Sequence, residues 1–149
     1  MKIIVVSDNH KNYLIIQKIL SDNPDADYYF HLGDSEMDED ELRPFACVRG
    51  NVDDDYSVKS ERIIDVGKHS IYLCHGHAFS GDENLIAKYA KQIGCDIALY
   101  GHTHIFLDKN INGIRVINPG SCSRSKDDGN SYVILTINDD DIDVKRVMI

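Results

Sequence analysis

Two histidines follow a short apolar run in the segment YGHTH, at positions 102 and 104. In an extended chain, residues two positions apart lie on the same face, so both imidazoles could bind a metal ion there. Histidine pairs of this kind also occur in ordinary turns, and the pair alone is weak support for a metal site. Its meaning depends on the other metal-binding residue types in the chain.

Four other apolar runs end in the same kinds of side chain. KIIVVS is followed by Asp8 and His10, YYFHLG by Asp34, FACVRG by Asn51 and Asp53, and SIYLC by His75 and His77. In α/β sheets the carboxyl ends of the strands gather around one crevice, where ligands bind. We therefore expect the side chains that follow these five runs to meet at one site.

The side-chain types favour two divalent metal ions. Imidazole nitrogens and carboxylate or amide oxygens suit Mn²⁺, Fe²⁺, Zn²⁺ or Ni²⁺. Two such ions, about 3.5–4 Å apart, lower the pKa of a water between them toward about 7 and hold the oxygens of a phosphoryl group. Their positive charge exceeds the negative charge of Asp8 and Asp34, which suits a singly charged phosphodiester. Asp53 nearby would disfavour a dianionic phosphomonoester.

The first third of the chain predicts a parallel sheet that positions these residues. Apolar runs and helical spacing predict a strand at 2–7, a helix at 12–22, a strand at 27–32, a short helix broken by Pro44, and a strand at 45–50. This β-α-β-(α)-β order implies parallel strands with helices packed on them.

The remainder of the chain predicts more strands and one helix. The patterns indicate a hairpin at 61–75, a helix at 81–94 between Asp82 and Gly94, a strand at 96–100, and hairpins that turn at 112–113 and 138–141. We predict an α/β fold of two packed mixed sheets flanked by helices, with residues 1–149 forming a single domain.

Composition excludes several classes of function. The net charge of −9 argues against tight binding to long DNA or RNA. No apolar run is long enough to span a membrane, and the first run is too short for a signal peptide, so we expect a cytoplasmic location. The four cysteines form no CxxC pair, which predicts reduced core thiols. Strand edges leave homodimerisation open.

Taken in order, the motifs resemble those of a known superfamily. They are SDNH (7–10), GD (33–34), GNVD (50–53), HGH (75–77) and GHTH (101–104), extended by NPGS (118–121). This set resembles the metallophosphoesterase (calcineurin-like) superfamily, in particular its small bacterial and archaeal phosphodiesterases. The resemblance implies an αββα sandwich and hydrolysis of small phosphodiesters at a binuclear metal centre, supported by Mn²⁺.

The resemblance also implies a role for each matching residue. One ion would be bound by Asp8, His10 and His104, the other by Asn51, His75 and His102, and Asp34 would bridge the two. His77 would lie near the entering phosphate, so that Asp34, Asn51 and His77 take part in catalysis. Many members have a histidine where this chain has Val52, and the usual general acid is therefore missing.

The sequence allows two interpretations for each of two residues near the motifs. Asp53 either orients a ligand or lies in a solvated loop, and Arg49 either reaches phosphate or lies at the surface. Asn118 is a candidate to orient a metal-binding histidine. We expect His31 to be packed in a sheet and His69 to be exposed at a turn, and we expect the acidic segment 36–41 to be solvated.

The alternative function is a non-catalytic protein-interaction scaffold. The retromer scaffold subunit resembles this superfamily in fold, but scaffold relatives of that kind have lost metal ligands. All seven proposed ligands are present in this chain, which favours the enzyme.

Overall fold

The computed structural model describes all 149 residues and contains ten β-strands and two α-helices. Their order is β1 (Lys2–Val6), α1 (Tyr13–Asp22), β2 (Tyr28–His31), β3 (Ala46–Cys47), β4 (Glu61–Val66), β5 (His69–Cys74), α2 (Glu83–Gln92), β6 (Ile97–Leu99), β7 (Phe106–Ile111), β8 (Ile114–Pro119), β9 (Ser131–Asn138) and β10 (Asp141–Met148). Two short 3-10 helices, Glu39–Leu42 and His77–Phe79, lie in the connections.

The strands form two mixed sheets of five strands each. The first has the order β10-β9-β1-β2-β3 and the second the order β4-β5-β6-β8-β7. The predicted parallel start is confirmed, since β1, β2 and β3 run parallel. The second sheet also has a parallel centre, because β5, β6 and β8 run in one direction. The helix predicted at 81–94 and the strand predicted at 96–100 are α2 and β6, and α2 connects β5 to the parallel strand β6 as a crossover.

Three apolar layers hold the two sheets and two helices together. Val5 and Phe30 from the first sheet and Leu73 and Leu99 from the second belong to one buried cluster between the sheets. Helix α1 packs in a second cluster on the outer face of the first sheet, and α2 packs in a third on the outer face of the second. The predicted αββα arrangement is confirmed. Neither helix is long and apolar enough to cross a membrane.

The ends of the helices follow from local hydrogen bonds. The side chain of Asn12 accepts from the backbone N–H of Ile15 at 3.1 Å and begins α1, and Asp82 accepts from Asn84 at 2.9 Å and begins α2. Gly94 follows the end of α2 with a left-handed φ of 84°. The short helix predicted near Pro44 ends at Leu42, because a residue preceding proline disfavours helical geometry.

All four cysteines are buried and form no disulfide. Burial raises the pKa of Cys47, Cys74 and Cys122 to about 12, so these thiols are protonated and unreactive near neutral pH. This agrees with the predicted core thiols.

The expectation that His69 is exposed is wrong. Its side chain is buried, with Nδ1 2.5 Å from Oδ2 of Asp96 and Nε2 2.5 Å from the carbonyl oxygen of Asp139. Burial opposes protonation, but these two acceptors outweigh it and raise the pKa of His69. The imidazole thereby connects the start of β5 in the second sheet to the turn between β9 and β10 in the first.

We predict that His69→Gln lowers the free energy of unfolding by about 1–2 kcal/mol, with a larger loss near pH 6 than near pH 9. The folded-state pKa of His69 is raised, so its contribution is present below the unfolded value of about 6.5 and is lost as the pH rises through the folded value. Urea unfolding at both pH values measures this difference.

The control is His77→Gln, since His77 is exposed and its hydrogen bond with Ser80 uses the backbone carbonyl oxygen rather than the side chain. It should change the unfolding free energy by less than about 0.5 kcal/mol. An equal loss for His69→Gln at both pH values would show that the neutral imidazole makes the connection.

Candidate metal centre

Ligand-type side chains from four loops meet in two groups of three. Each group has its ligand atoms within 4.8 Å of one another: Asp8, His10 and His104 form the first group, and Asp34, His75 and His102 form the second. Asp8 and His10 follow β1, Asp34 follows β2, His75 follows β5, and both His102 and His104 follow β6. The carboxyl ends of strands from both sheets therefore supply the site, as the sequence predicted.

In the first group, three ligand atoms face the same point. The Nε2 atoms of His10 and His104 are 3.4 Å apart, and Oδ1 of Asp8 lies 3.8 Å and 3.3 Å from them. The Nδ1 atom of His10 faces Glu36 Oε2 at 3.1 Å, and the Nδ1 atom of His104 faces the carbonyl oxygen of Arg124 at 2.6 Å. Each Nδ1 must donate to its acceptor, so both Nε2 atoms present lone pairs.

The second group repeats this geometry around His75. Its Nδ1 donates to the carbonyl oxygen of Leu32 at 2.7 Å, which leaves Nε2 as a lone-pair donor for a metal. That Nε2 lies 3.1 Å from Asp34 Oδ2. The ring of His102 is 5.2 Å from the ring of His75, and its Nδ1 is 3.1 Å from the side-chain oxygen of Asn51. Asn51 therefore adjoins the second group, on the side of His102.

Two buried atoms at the junction of the groups have no hydrogen-bond partner. They are Oδ1 of Asp8 and Nε2 of His75, and they lie 3.8 Å apart. An unsatisfied buried polar atom costs about 1–3 kcal/mol, and lone pairs directed at one another add repulsion. A divalent cation at each group would satisfy these atoms, so the residues present fit two metal ions.

The charges of the site favour cation binding. Burial opposes ionisation of Asp8 and Asp34, but the nearby imidazoles outweigh it and lower the pKa of both carboxyls. The nearby carboxylate of Asp8 raises the pKa of His104, whereas burial and the charge of His75 lower the pKa of His102. The carboxylates are thus ionised near neutral pH, where they attract a cation.

His102 and His104 do not lie on one face of an extended chain. Both have left-handed backbones, with φ of 69° and 60°, so the chain turns between them. His104 joins the first group and His102 the second. The backbone N–H of His102 donates to Oδ2 of Asp8 at 3.1 Å, which fixes this turn against the first group.

Asp53 orients the loops that carry two of the candidate ligands. Its carboxylate is buried and accepts three backbone N–H groups, from Asp34 at 2.8 Å, Gly50 at 2.7 Å and Glu36 at 2.8 Å. These bonds join the loop that carries Asp34 to the loop that carries Asn51. Of the two interpretations of Asp53, the solvated loop is therefore wrong.

Two motif glycines lie directly against the metal-site carboxylates. A Cβ atom on Gly50 would be 2.1 Å from Oδ1 of Asp34, and one on Gly101 would be 2.0 Å from Oγ of Ser7 and 2.8 Å from Oδ2 of Asp8. No other residue type fits at either position without displacing a carboxylate. The motifs GNVD and GHTH therefore require glycine at these positions, because the backbone there lies too close to neighbouring side chains to carry a Cβ atom.

Sequence reasoning missed the hydroxyl groups that hold Asp8. Ser7 donates to Oδ2 of Asp8 at 2.6 Å, and the hydroxyls of Ser121 and Ser123 donate to its carbonyl oxygen at 2.8 Å and 3.0 Å. Serine is too common on protein surfaces to signal this role by itself. Only the position of Ser7 beside Asp8, and of Ser121 in NPGS, pointed toward it.

The structure corrects one expectation about the surrounding residues and gives the contacts of two others. Glu36 belongs to the segment expected to be solvated, but it is half-buried against His10. Asn118 donates to the carbonyl oxygen of Gly101 and to the hydroxyl of Thr103, so it fixes the loop that carries His102 and hydrogen-bonds neither histidine directly. Arg49 donates to the carbonyl oxygens of Tyr56 and Val58, which engages its guanidinium in the following loop.

His31 is buried, as expected, and also connects two ligand loops. Its Nε2 faces the side-chain oxygen of Asn9 at 2.8 Å, and its Nδ1 accepts from the backbone N–H of Gly33 at 3.1 Å. Burial lowers the pKa of His31 to about 4, so the ring is neutral near pH 7.

His77 is exposed, and its ring is 5.5 Å from the ring of His75.

Comparison with known proteins agrees with this arrangement. Residues 1–140 match the model of the calcineurin-like phosphoesterase superfamily domain. The chain is 32% identical to the probable metallophosphoesterase YsnB of Bacillus subtilis, over 94% of this chain and 86% of that protein.

Solved structures show the same fold. A conserved uncharacterized protein and predicted phosphoesterase from Streptococcus pneumoniae superposes with a TM-score of 0.89 at 28% identity, over 99% of this chain and 88% of that one. A Vps29 variant from Entamoeba histolytica superposes with a TM-score of 0.78 at 26% identity, over 99% and 98% of the two chains.

We predict that the metal-stripped protein binds two Mn²⁺ ions per chain and that His104→Ala binds one. Loss of His104 leaves the first group with two ligands, while the second group keeps all of its own. Isothermal titration calorimetry measures both stoichiometries. His69→Gln is the control, since His69 lies outside both groups and should leave two ions bound. An unchanged stoichiometry in His104→Ala would contradict the assignment.

We also predict that Asp53→Asn weakens Mn²⁺ binding at least about tenfold and lowers the unfolding free energy by about 1–3 kcal/mol. An amide cannot accept from all three backbone N–H groups that the carboxylate serves, because its nitrogen only donates. Titration calorimetry and urea unfolding measure the two effects. Asp54→Asn is the matched control, because Asp54 is exposed, and equal behaviour of the two variants would contradict an orienting role.

Proposed function

The chain belongs to the calcineurin-like phosphoesterase superfamily, and we propose that it is a metal-dependent phosphodiesterase that uses two divalent ions to hydrolyse small phosphodiesters. Membership of this family supports the general assignment of the chain as a metal-dependent phosphoester hydrolase. The number of ions, the residue roles and the preference for diesters are our proposal.

The two-ion proposal rests on the two unpartnered atoms that lie where the two groups meet. Oδ1 of Asp8 and Nε2 of His75 belong to different groups, are buried without partners, and lie 3.8 Å apart. Ligand atoms this close support neighbouring ions rather than two independent sites. The distance between paired ions in known centres, about 3.5–4 Å, is of the same size.

We assign each ligand to one ion or to both. Asp8, His10 and His104 would bind the first ion, and Asn51, His75 and His102 would bind the second. Asp34 would bridge them, and its Oδ2 lies 3.1 Å from Nε2 of His75. The other oxygen of Asp34 accepts from the backbone N–H of Val52 at 3.0 Å, which fixes the carboxylate plane.

The bound ions would supply an activated water and stabilise negative charge on the phosphoryl oxygens. The nitrogen and oxygen ligands suit Mn²⁺, and Ni²⁺, Zn²⁺ or Fe²⁺ fit the same set. His77 is exposed beside the second group, where its imidazole can hydrogen-bond a phosphate oxygen. Its pKa is lowered by burial and by the charge of His75, so it would approach the substrate as a neutral group.

Formal charge supports a singly charged diester over a dianionic monoester. Two divalent ions, Asp8, Asp34 and the hydroxide formed from the activated water leave a formal charge of about +1, which a phosphodiester anion matches. The carboxylate of Asp53 faces three backbone N–H groups rather than the substrate, so it contributes less to this preference than the sequence predicts. Glu36, whose Oε2 lies 3.1 Å from Nδ1 of His10 on the side away from the first group, adds a negative charge close to the site and would disfavour a dianion.

The absence of the usual general acid restricts which leaving groups can depart readily. Val52 is exposed where many superfamily members have histidine, and its side chain cannot donate a proton. We propose that water protonates the departing oxygen, or that good substrates carry leaving groups of low pKa.

A second candidate function is a protein-interaction scaffold. The similarity to Vps29 and the valine at position 52 favour it, whereas the complete ligand groups favour the enzyme.

The proposal also covers the domain organisation and the size of the substrate. Residues 1–149 act as one domain, and a chain of net charge −9 acts on small substrates rather than long nucleic acids. The cytoplasmic location stays a prediction.

We predict that the metal-stripped protein hydrolyses bis-p-nitrophenyl phosphate only after a divalent ion is added, and faster than p-nitrophenyl phosphate. Asp34→Asn should lower this rate at least about a hundredfold, because it removes the bridging charge, while the protein stays folded. Release of p-nitrophenolate measures both, with Mn²⁺, Ni²⁺, Zn²⁺ and Mg²⁺ tested separately.

Asp54→Asn is the matched control for Asp34→Asn and should retain the full rate. Normal turnover by Asp34→Asn would contradict the bridging role. Absence of turnover with every metal would favour the scaffold.

A further inference from the structure

The outer edge of β10 is a long, uncovered strand edge. β10 has eight residues and pairs with β9 on one side only. Ile149 donates from its backbone N–H to Asn130 at 2.9 Å, and antiparallel pairing alternates along the strand. The backbone groups of Ile142, Val144, Arg146 and Met148 therefore point away from the sheet, without partners in the chain.

The exposed face of this edge carries opposite charges that are not paired within the chain. Asp143 and Lys145 are both exposed, and neither forms an ion pair, although the neighbouring Arg146 pairs with Asp127 and Asp128. Asp143 and Lys145 flank Val144 symmetrically. A strand with this charge order is complementary to its own antiparallel copy.

We propose that β10 pairs with β10 of a second copy of this chain, antiparallel about a two-fold axis at Val144. Val144 would then lie opposite the partner's Val144, and Ile142 opposite the partner's Arg146. These are the residues whose backbone groups point outward, so each pair can exchange two hydrogen bonds, about six in total. The first sheet of one copy would thereby join the first sheet of the other copy into one continuous sheet.

The same register brings the unpaired charges together. Asp143 would lie opposite the partner's Lys145, and Lys145 opposite the partner's Asp143. These positions are non-hydrogen-bonded pairs, in which side chains approach most closely. Each unpaired charge of the edge thereby gains an opposite charge on the same exposed face.

Neighbouring registers bring like charges together instead. An axis at Asp143 or at Lys145 would place that residue opposite its own copy. An axis at Ile142 would place Asp141 opposite the partner's Asp143, and an axis at Arg146 would place two guanidinium groups in contact. Since like charges directly opposite destabilise a strand pair, the axis at Val144 is selected.

The test is the molar mass in solution, measured by sedimentation equilibrium over a range of concentrations. The wild-type chain of 16.8 kDa should reach twice that mass as its concentration rises. Asp143→Lys and Lys145→Asp should each raise the dimer dissociation constant about tenfold or more, because each places like charges opposite one another. Circular dichroism and thermal melting establish that each variant is folded.

The double variant Asp143→Lys with Lys145→Asp is the matched control. It exchanges the two charges and restores opposite pairs in the proposed register, so it should dimerise as the wild type does. A wild-type chain that stays monomeric at every concentration would overturn the proposal. So would single variants that dimerise normally, or a double variant that stays as weak as the single ones.

Discussion

The site depends on keeping ionised carboxylates and imidazole lone pairs together inside the protein. Asp8 is fully buried, and one of its oxygens has no hydrogen-bond partner. Its charge is retained because Ser7 donates to the other oxygen and because imidazoles lie close by. Removing a carboxylate from water costs several kcal/mol unless opposite charge is supplied. Cation binding would supply that charge, so the metal ions would also contribute to folding stability.

The surrounding loops hold these ligands in strained geometry. Ligand residues after β1, β2 and β6 adopt left-handed backbones, which cost energy for residues other than glycine. Asp53 offsets this cost with three bonds to backbone N–H groups, and His31 connects the loops after β1 and β2. Gly50 and Gly101 allow the backbone to approach the carboxylates. Hydrogen bonds to the backbone thus help to position the ligands.

Much of this arrangement could be predicted from the sequence, because its signals are local. Apolar runs that end in Asp or His identified the strand ends, and Asn112-Gly113 identified a hairpin turn. The roles of Glu36 and His69 depend on contacts with residues 26 and 27 positions away, which no local pattern encodes. The division of His102 and His104 between two groups depends on backbone dihedral angles that periodicity does not report.

The central claim is that two metal ions share this site, and anomalous diffraction from crystals grown with Mn²⁺ tests it most directly. A difference map at the manganese edge should show two peaks about 3.5–4 Å apart. One should lie among Asp8, His10 and His104, and the other among Asn51, His75 and His102, with Asp34 between them. A single peak, or two peaks too far apart for Asp34 to bridge, would contradict the claim.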